Sequence, residues 1–174
     1  SKIVGCFDVE HVSYSETCFS DVRVSKCRII TSEQISIVPS EFIEIYCMNN
    51  DKDKMEFILK KDAYSYYMMN IVDYLVGNTD RHWENWGVLV DNKTNNPIRL
   101  YDLMDFNKSF QAYDTLDGAN CLTVQGKLTQ REAAIQAVKC VGLNQISEID
   151  AAWFKNSAWK EMFFRRLELL KDIK

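Results

Sequence analysis

The sequence predicts an α+β fold that is mostly helical, with a short strand-rich segment at its start and one β-hairpin near its centre. Three observations carry this expectation. Polar and apolar residues nearly alternate through the first third, helical periodicity governs most of the remaining two thirds, and six turn formers from Asp91 to Asn96 separate two apolar runs. At 174 residues, with 47% hydrophobic and 26% charged side chains and only 6 Gly and 2 Pro, the chain has the composition of one globular domain with a core. Its 21 basic and 25 acidic residues leave a formal charge of −4 with no basic block, so direct nucleic-acid binding is not expected. Six scattered cysteines without C-x-x-C spacing read as buried free thiols of a reducing compartment. No apolar run approaches the roughly 18 to 20 residues of a membrane span, so a soluble, cytoplasmic protein without a membrane partner is expected.

Residues 1–37 are expected to hold two or three short strands. Ile3 to Val9 is a strand-like run, and a chain that opens on Ser1 directly into it reads as part of something longer. Near-alternation from Val12 to Thr17 and from Val22 to Ile30 gives two more, with Ser20-Asp21 as the turn. From Val38 the period changes. Pro39 suits the first turn of a short helix that offers Phe42, Ile43, Ile45 and Tyr46 for one face. After a charged loop, residues 55–77 carry a long helical pattern through Phe57, Ile58, Leu59, Tyr66, Met69, Val72, Tyr74 and Leu75, ended by Gly77-Asn78, which tolerate left-handed backbone. The hairpin joins residues 86–90 to 97–101, and an irregular stretch runs from Asp102 to about Lys127. Thr129 with Glu132 forms a capping box for a helix over 130–141, Ser157 caps another over 158–171, and a short helix is expected around 147–154.

The chemistry concentrates between the long helix and the hairpin, where Gly77-Asn78-Thr79-Asp80-Arg81-His82-Trp83-Glu84-Asn85 gathers an Asp, a His and an Asn in one turn. Phosphoryl transfer asks little more of a protein than this: a carboxylate near the attacking hydroxyl, oxygen ligands for the metal ions that neutralise phosphates, and firm positioning. Asp80 and Asn85 have the Asp-x4-Asn spacing of kinase catalytic loops. Asp102 lies 17 positions beyond Asn85 across a hairpin that returns its far strand beside the loop, so Asn85 and Asp102 can chelate magnesium through oxygens.

Asn78, Thr79, Asp80, His82 and Asn85 match the Asn-Thr-Asp-x-His-x-x-Asn loop of the HipA-like bacterial serine/threonine kinases, a family that the sequence resembles over most of its length. Leu100-Tyr101-Asp102 is similar to that family's metal-binding segment, and His11-Val12-Ser13-Tyr14 to the end of its small lobe. The resemblance implies the large lobe of a protein-kinase-like fold over residues 38–174, with catalytic loop 77–85 and metal-binding segment 100–105, preceded over 1–37 by the end of the small lobe and the hinge. It implies ATP and Mg2+ as cofactors and transfer of the γ-phosphate to a protein hydroxyl, with Asp80 orienting that hydroxyl and Asn85 and Asp102 holding the metal and its nucleotide. His82 then braces the loop or the Asp80 carboxylate, or packs for structure. Arg81 reaches a phosphate or sits in solvent, and Asp105 is a substitute ligand or a cap. A toxin-antitoxin setting with a DNA-binding antitoxin-type partner protein is also implied.

Asp102-Leu103-Met104 replaces the Asp-Phe-Gly of eukaryotic kinases, and the family resembled also does without that glycine. Two other readings stay open. Asp80-Arg81-His82-x-x-Asn85 also fits the loop of phosphatidylinositol 3- and 4-kinases, although Lys108 and Lys127 are few charges for a polyanionic headgroup. A catalytically reduced binding or regulatory module is the other, because the chain carries no Gly-x-Gly cluster and no small-lobe strand lysine. By itself it is expected to bind nucleotide poorly and to transfer phosphate hardly at all. A metal-dependent hydrolase is disfavoured, since His82 is the one credible imidazole ligand.

Overall fold

The computed structural model describes residues 2–111, 115–124 and 126–173. Parts of the irregular stretch expected up to Lys127, residues 112–114 and 125, lie outside the described residues. Strands β1 (Tyr14–Phe19) and β2 (Val22–Cys27) pair antiparallel, Phe19 opposite Val22. Ser20 and Asp21 both take positive φ, 47° and 64°, which is the primed turn whose twist suits a two-residue hairpin. This ribbon is exposed on both faces. That exposure corrects the cysteine expectation: Cys6 and Cys47 are buried, whereas Cys18 and Cys27 on the ribbon and Cys140 are exposed, all six as free thiols.

Next along the chain come strand β3 (Ile35–Pro39), helix α1 (Ser40–Asn49), helix α2 (Lys54–Val76), and strands β4 (Gly87–Asp91) and β5 (Asn96–Leu100), then helices α3 (Gln130–Val141) and α4 (Ser157–Lys171). The second sheet has the order β3-β4-β5, all antiparallel, with a register shift at Leu89/Val90. The central hairpin is therefore as expected, whereas β3 is an addition to it. Pro39, expected at the helix start, is also the last residue of the ladder, opposite Gly87, and the sheet crosses the 37/38 boundary expected between lobes. Gly87 is needed there because a Cβ would collide with the Val38 carbonyl oxygen. Helix α1 turns Ile43 and Cys47 inward and leaves Phe42, Ile45 and Tyr46 exposed, so only part of its apolar set is a core face.

Helix α2 is the central element. Asp53 caps it by accepting from the Glu56 amide at 2.7 Å, and its course breaks at Asp62, where φ −159° and ψ 73° leave the helical region. The continuous helix expected over 55–77 is thus two aligned pieces. The second is buried all round, from Tyr66 through Met68, Met69, Ile71, Val72, Tyr74 and Leu75 to Val76, as befits a helix enclosed by α3, α4 and β5. Each such Leu, Ile or Met contributes about 1.5 to 3 kcal/mol of burial free energy. The opening segment joins the same core. Residues 4–6 form a 3-10 turn rather than a strand, Phe7 pairs with Gln145 in a single bridge, and Val4, Cys6 and Phe7 are buried. The strand-like pattern there is the one-sided burial of this strap. Further on, the Leu103 amide donates to Glu10 O and the Val12 amide to Leu103 O, both at 2.9 Å, so the strap runs beside the segment that carries Asp102.

Toward the C-terminus the expected capping box is present: Thr129 Oγ1 accepts from the Glu132 amide and Glu132 reaches back to the Thr129 amide. Around 147–154 there is a single 3-10 turn, Ala151–Trp153. Helix α4 is capped one residue earlier than expected, by Asn156, whose Oδ1 accepts from the Ala158 and Trp159 amides. Its inner face is Phe163, Arg166, Leu167 and Leu170, while Trp153 and Trp159 are partly exposed. No helix among the described residues is long and apolar enough to cross a membrane. The shifted cap is testable by urea denaturation: Asn156→Ala is expected to cost about 1 kcal/mol, and Ser157→Ala only a few tenths. The reverse order would restore Ser157 as the cap.

Candidate active site

The site begins where α2 ends. Gly77 takes the left-handed conformation, φ 60°, and its amide closes onto Asp73 O and Tyr74 O. A side chain there would also press on Arg166 Nη1. Arg166 is fully buried, donates to Tyr74 O and Thr115 O at 2.8 Å, and lies over the Tyr74 ring, so α4 supports the last turn of α2 from below. Burial pulls its pKa down. Asn78, also buried, spends both ends of its amide on the turn. Its Nδ2 donates to Asp73 Oδ1 at 3.0 Å, its Oδ1 accepts from the Asp80 amide at 3.3 Å, and its carbonyl accepts from Gln130 Nε2 of α3.

Arg81 organises the rest. Its guanidinium grips the Asp73 carboxylate as a fork, Nε to Oδ2 at 2.8 Å and Nη2 to Oδ1 at 2.9 Å, with both residues buried. Nη1 donates to Asn85 O at 2.8 Å and to Met104 O at 2.7 Å, and the cation lies over the Phe106 ring. Burial acts to lower the Arg81 pKa, but the Asp73 carboxylate outweighs it and holds the group above its ordinary value. The expectation that Arg81 reaches a phosphate or solvent is therefore corrected. One nitrogen of Arg81 holds the loop over residues 77–85 and the segment that follows β5 together, and the same side chain bolts both to α2.

Around that bolt stand the four expected site residues. Asn85 is buried, and its Nδ2 donates to Asp80 O at 2.7 Å, which leaves Oδ1 as the side-chain atom able to ligate a cation. The Asp80 carboxylate is about a third exposed, at 35%. His82 Nε2 stands 4.0 Å from Asp80 Oδ1, while its Nδ1 accepts from the Glu84 amide at 3.3 Å. With Nδ1 accepting, the neutral ring carries its proton on Nε2, toward Asp80. Of the three roles left open for His82, its one hydrogen bond, from the Glu84 amide, ties the ring to the loop itself, while Asp80 Oδ1 at 4.0 Å lies beyond hydrogen-bond reach and the ring packs edge-on against Trp83. Asp102 is buried, and its Oδ1 pairs with Arg99 Nη2 at 2.7 Å.

Tyr101 fixes Asp102 from the preceding position. Its amide donates to Gly87 O and its hydroxyl to Glu84 O at 2.8 Å, and burial pushes the phenol pKa up. Asp105 occupies a left-handed turn position, φ 55°. Trp86 packs beneath the loop as expected, whereas Trp83 is 55% exposed.

Arg99, Asp73, Gln130 and Arg166 did not emerge from the sequence. Asp73 had a readable signal: it is the one carboxylate in an otherwise apolar run from Ile71 to Val76, and such a charge needs a partner.

The buried pair sets a stability expectation. Arg81→Met strands the Asp73 carboxylate and is expected to cost about 3 to 5 kcal/mol in denaturant titration, part of it recovered by adding Asp73→Leu. A loss below about 1 kcal/mol would mean that the pair holds nothing in place.

No family model matches the chain, and no curated protein matches it. Among solved structures, the crystal structure of a Helicobacter pylori proinflammatory kinase, CtkA, is similar in fold: TM-score 0.68 at 15% sequence identity, over 99% of this chain and 78% of that one. The architecture that carries Asp80, Asn85 and Asp102 is thus similar to that of a kinase.

Proposed function

We propose that this chain is the large lobe of an ATP-dependent, HipA-like serine/threonine protein kinase. The observation that carries the reading is the double donation of Arg81 Nη1 to Asn85 O and Met104 O, which holds the loop with Asp80 against the segment with Asp102. Asp80 accepts a hydrogen bond from the substrate hydroxyl and takes its proton as the oxygen bonds to the γ-phosphorus and the bond from that phosphorus to the β–γ bridging oxygen breaks, releasing ADP. His82, held by the Glu84 amide, steadies the loop that presents the Asp80 carboxylate 4.0 Å from its Nε2. Asn85 Oδ1 and the Asp102 carboxylate are hard oxygen donors and would hold a magnesium ion here. When bound, magnesium would neutralise charge on the transferring phosphoryl group. Partners in this reading are ATP and a hydroxyl-bearing protein, with a DNA-binding antitoxin-type protein as a further one.

Arg99 favours a second reading, the catalytically reduced regulatory module, because it already neutralises Asp102 at 2.7 Å. Thermal-shift titration with Mg2+ and ATP separates the two. The kinase reading expects a rise in melting temperature at millimolar Mg2+ that Asp102→Asn abolishes, and tighter magnesium binding in Arg99→Ala, where the competing cation is gone. Asp80→Ala should fold normally and, in a longer form that also carries the nucleotide-clamping small lobe, lose phosphotransfer. No shift with either ligand, in wild type and Arg99→Ala alike, would leave the regulatory module as the account.

A further inference from the structure

Strand β5 is the outer strand of its sheet, so the amides on its free side have no strand partner. Tyr101 N–H points inward to Gly87 O, whereas Leu100 N–H points outward, and Leu100 is only 1% exposed. A buried amide must find an acceptor. It finds Asp62, whose Oδ2 accepts from Leu100 N at 3.1 Å. The other oxygen, Oδ1, accepts from Ser65 N at 3.0 Å and so caps the second piece of α2 at its break. Three residues beyond Leu100, the strap takes over: Leu103 exchanges hydrogen bonds with Glu10 and Val12. Asp102 therefore lies between two outer tethers, and one of them is a carboxylate on the helix that also delivers the catalytic loop.

The geometry points to Asp62 as a positioning residue for Asp102. One carboxylate begins the buried piece of α2, whose far end is Gly77 and the Asp80 loop, and fixes the strand two residues before Asp102. It sets the register between the two halves of the site. This also accounts for the break in α2: a helical Asp62 would give up the N-terminal end that its Oδ1 caps. The inference rests on the reading of Asp102 as a metal ligand.

Two substitutions separate positioning from capping. Asp62→Ala loses both hydrogen bonds. Asp62→Ser keeps a hydroxyl that caps Ser65 N but is too short to hold Leu100 N as well. Manganese binding is followed by electron paramagnetic resonance, and amide hydrogen exchange by NMR. The expected result is that both variants weaken Mn2+ about tenfold, within the range for residues that orient metal ligands, and speed exchange at Leu100. Thr129→Ala, which removes a cap on α3, serves as a control for lost stability and should leave Mn2+ affinity unchanged. If Asp62→Ser binds Mn2+ as wild type does, Asp62 is only a cap and the inference is overturned. If wild type binds no Mn2+, the metal reading of Asp102 fails instead. Exchange then decides alone: faster exchange from Leu100 to Leu103 in Asp62→Ser supports the tether, and unchanged exchange overturns it.

Discussion

The Arg81 to Asp73 pair is the interaction on which the site depends. A guanidinium and a carboxylate, both buried, are expensive to desolvate, and the fold offsets that cost by using every nitrogen of the fork. The consequence is geometric. The end of α2, the Asn85 end of the loop and Met104 of the segment after β5 all converge on one rigid plane, so none can move without the others. Hydrophobic packing alone would hold these segments near one another without specifying their register to within a hydrogen bond.

A second tier of polar contacts supports that plane. Gln130 of α3 reaches Asn78 O, Arg166 of α4 reaches Tyr74 O and Thr115 O, and Tyr101 reaches Glu84 O. Each ends on a backbone carbonyl in or beside the turn, and each comes from a different part of the chain. The loop thereby presents a half-buried carboxylate, Asp80, on a scaffold most of whose polar groups are spent, with Asn85 Oδ1 left over. Such a division suits phosphoryl transfer, in which the protein's main task is to position groups and fields.

Much of this is legible in the sequence where the signal is local. The central hairpin is readable from its turn formers, the α3 cap from Thr129 and Glu132 three residues apart, and the end of α2 from Gly77-Asn78. The features that escape such a reading depend on distant partners. Ile35 to Pro39 becomes a strand only because Gly87 lets β4 approach it, and Val4 and Cys6 look strand-like because one side of a strap is buried. Arg81 reads as a surface or phosphate-binding residue until Asp73 and Met104 are placed around it. Asp102 reads as a carboxylate waiting for magnesium, yet its partner is Arg99, which the two-residue periodicity of β5 does not single out.

The most direct test is a crystal structure of this chain with Mn2+ and a non-hydrolysable ATP analogue, the metal located by its anomalous signal. The account expects the ion between Asn85 Oδ1 and the Asp102 carboxylate, with Arg99 moved off Asp102 and the γ-phosphate facing Asp80. Metal bound elsewhere, or nucleotide bound while Arg99 still holds Asp102, would contradict it.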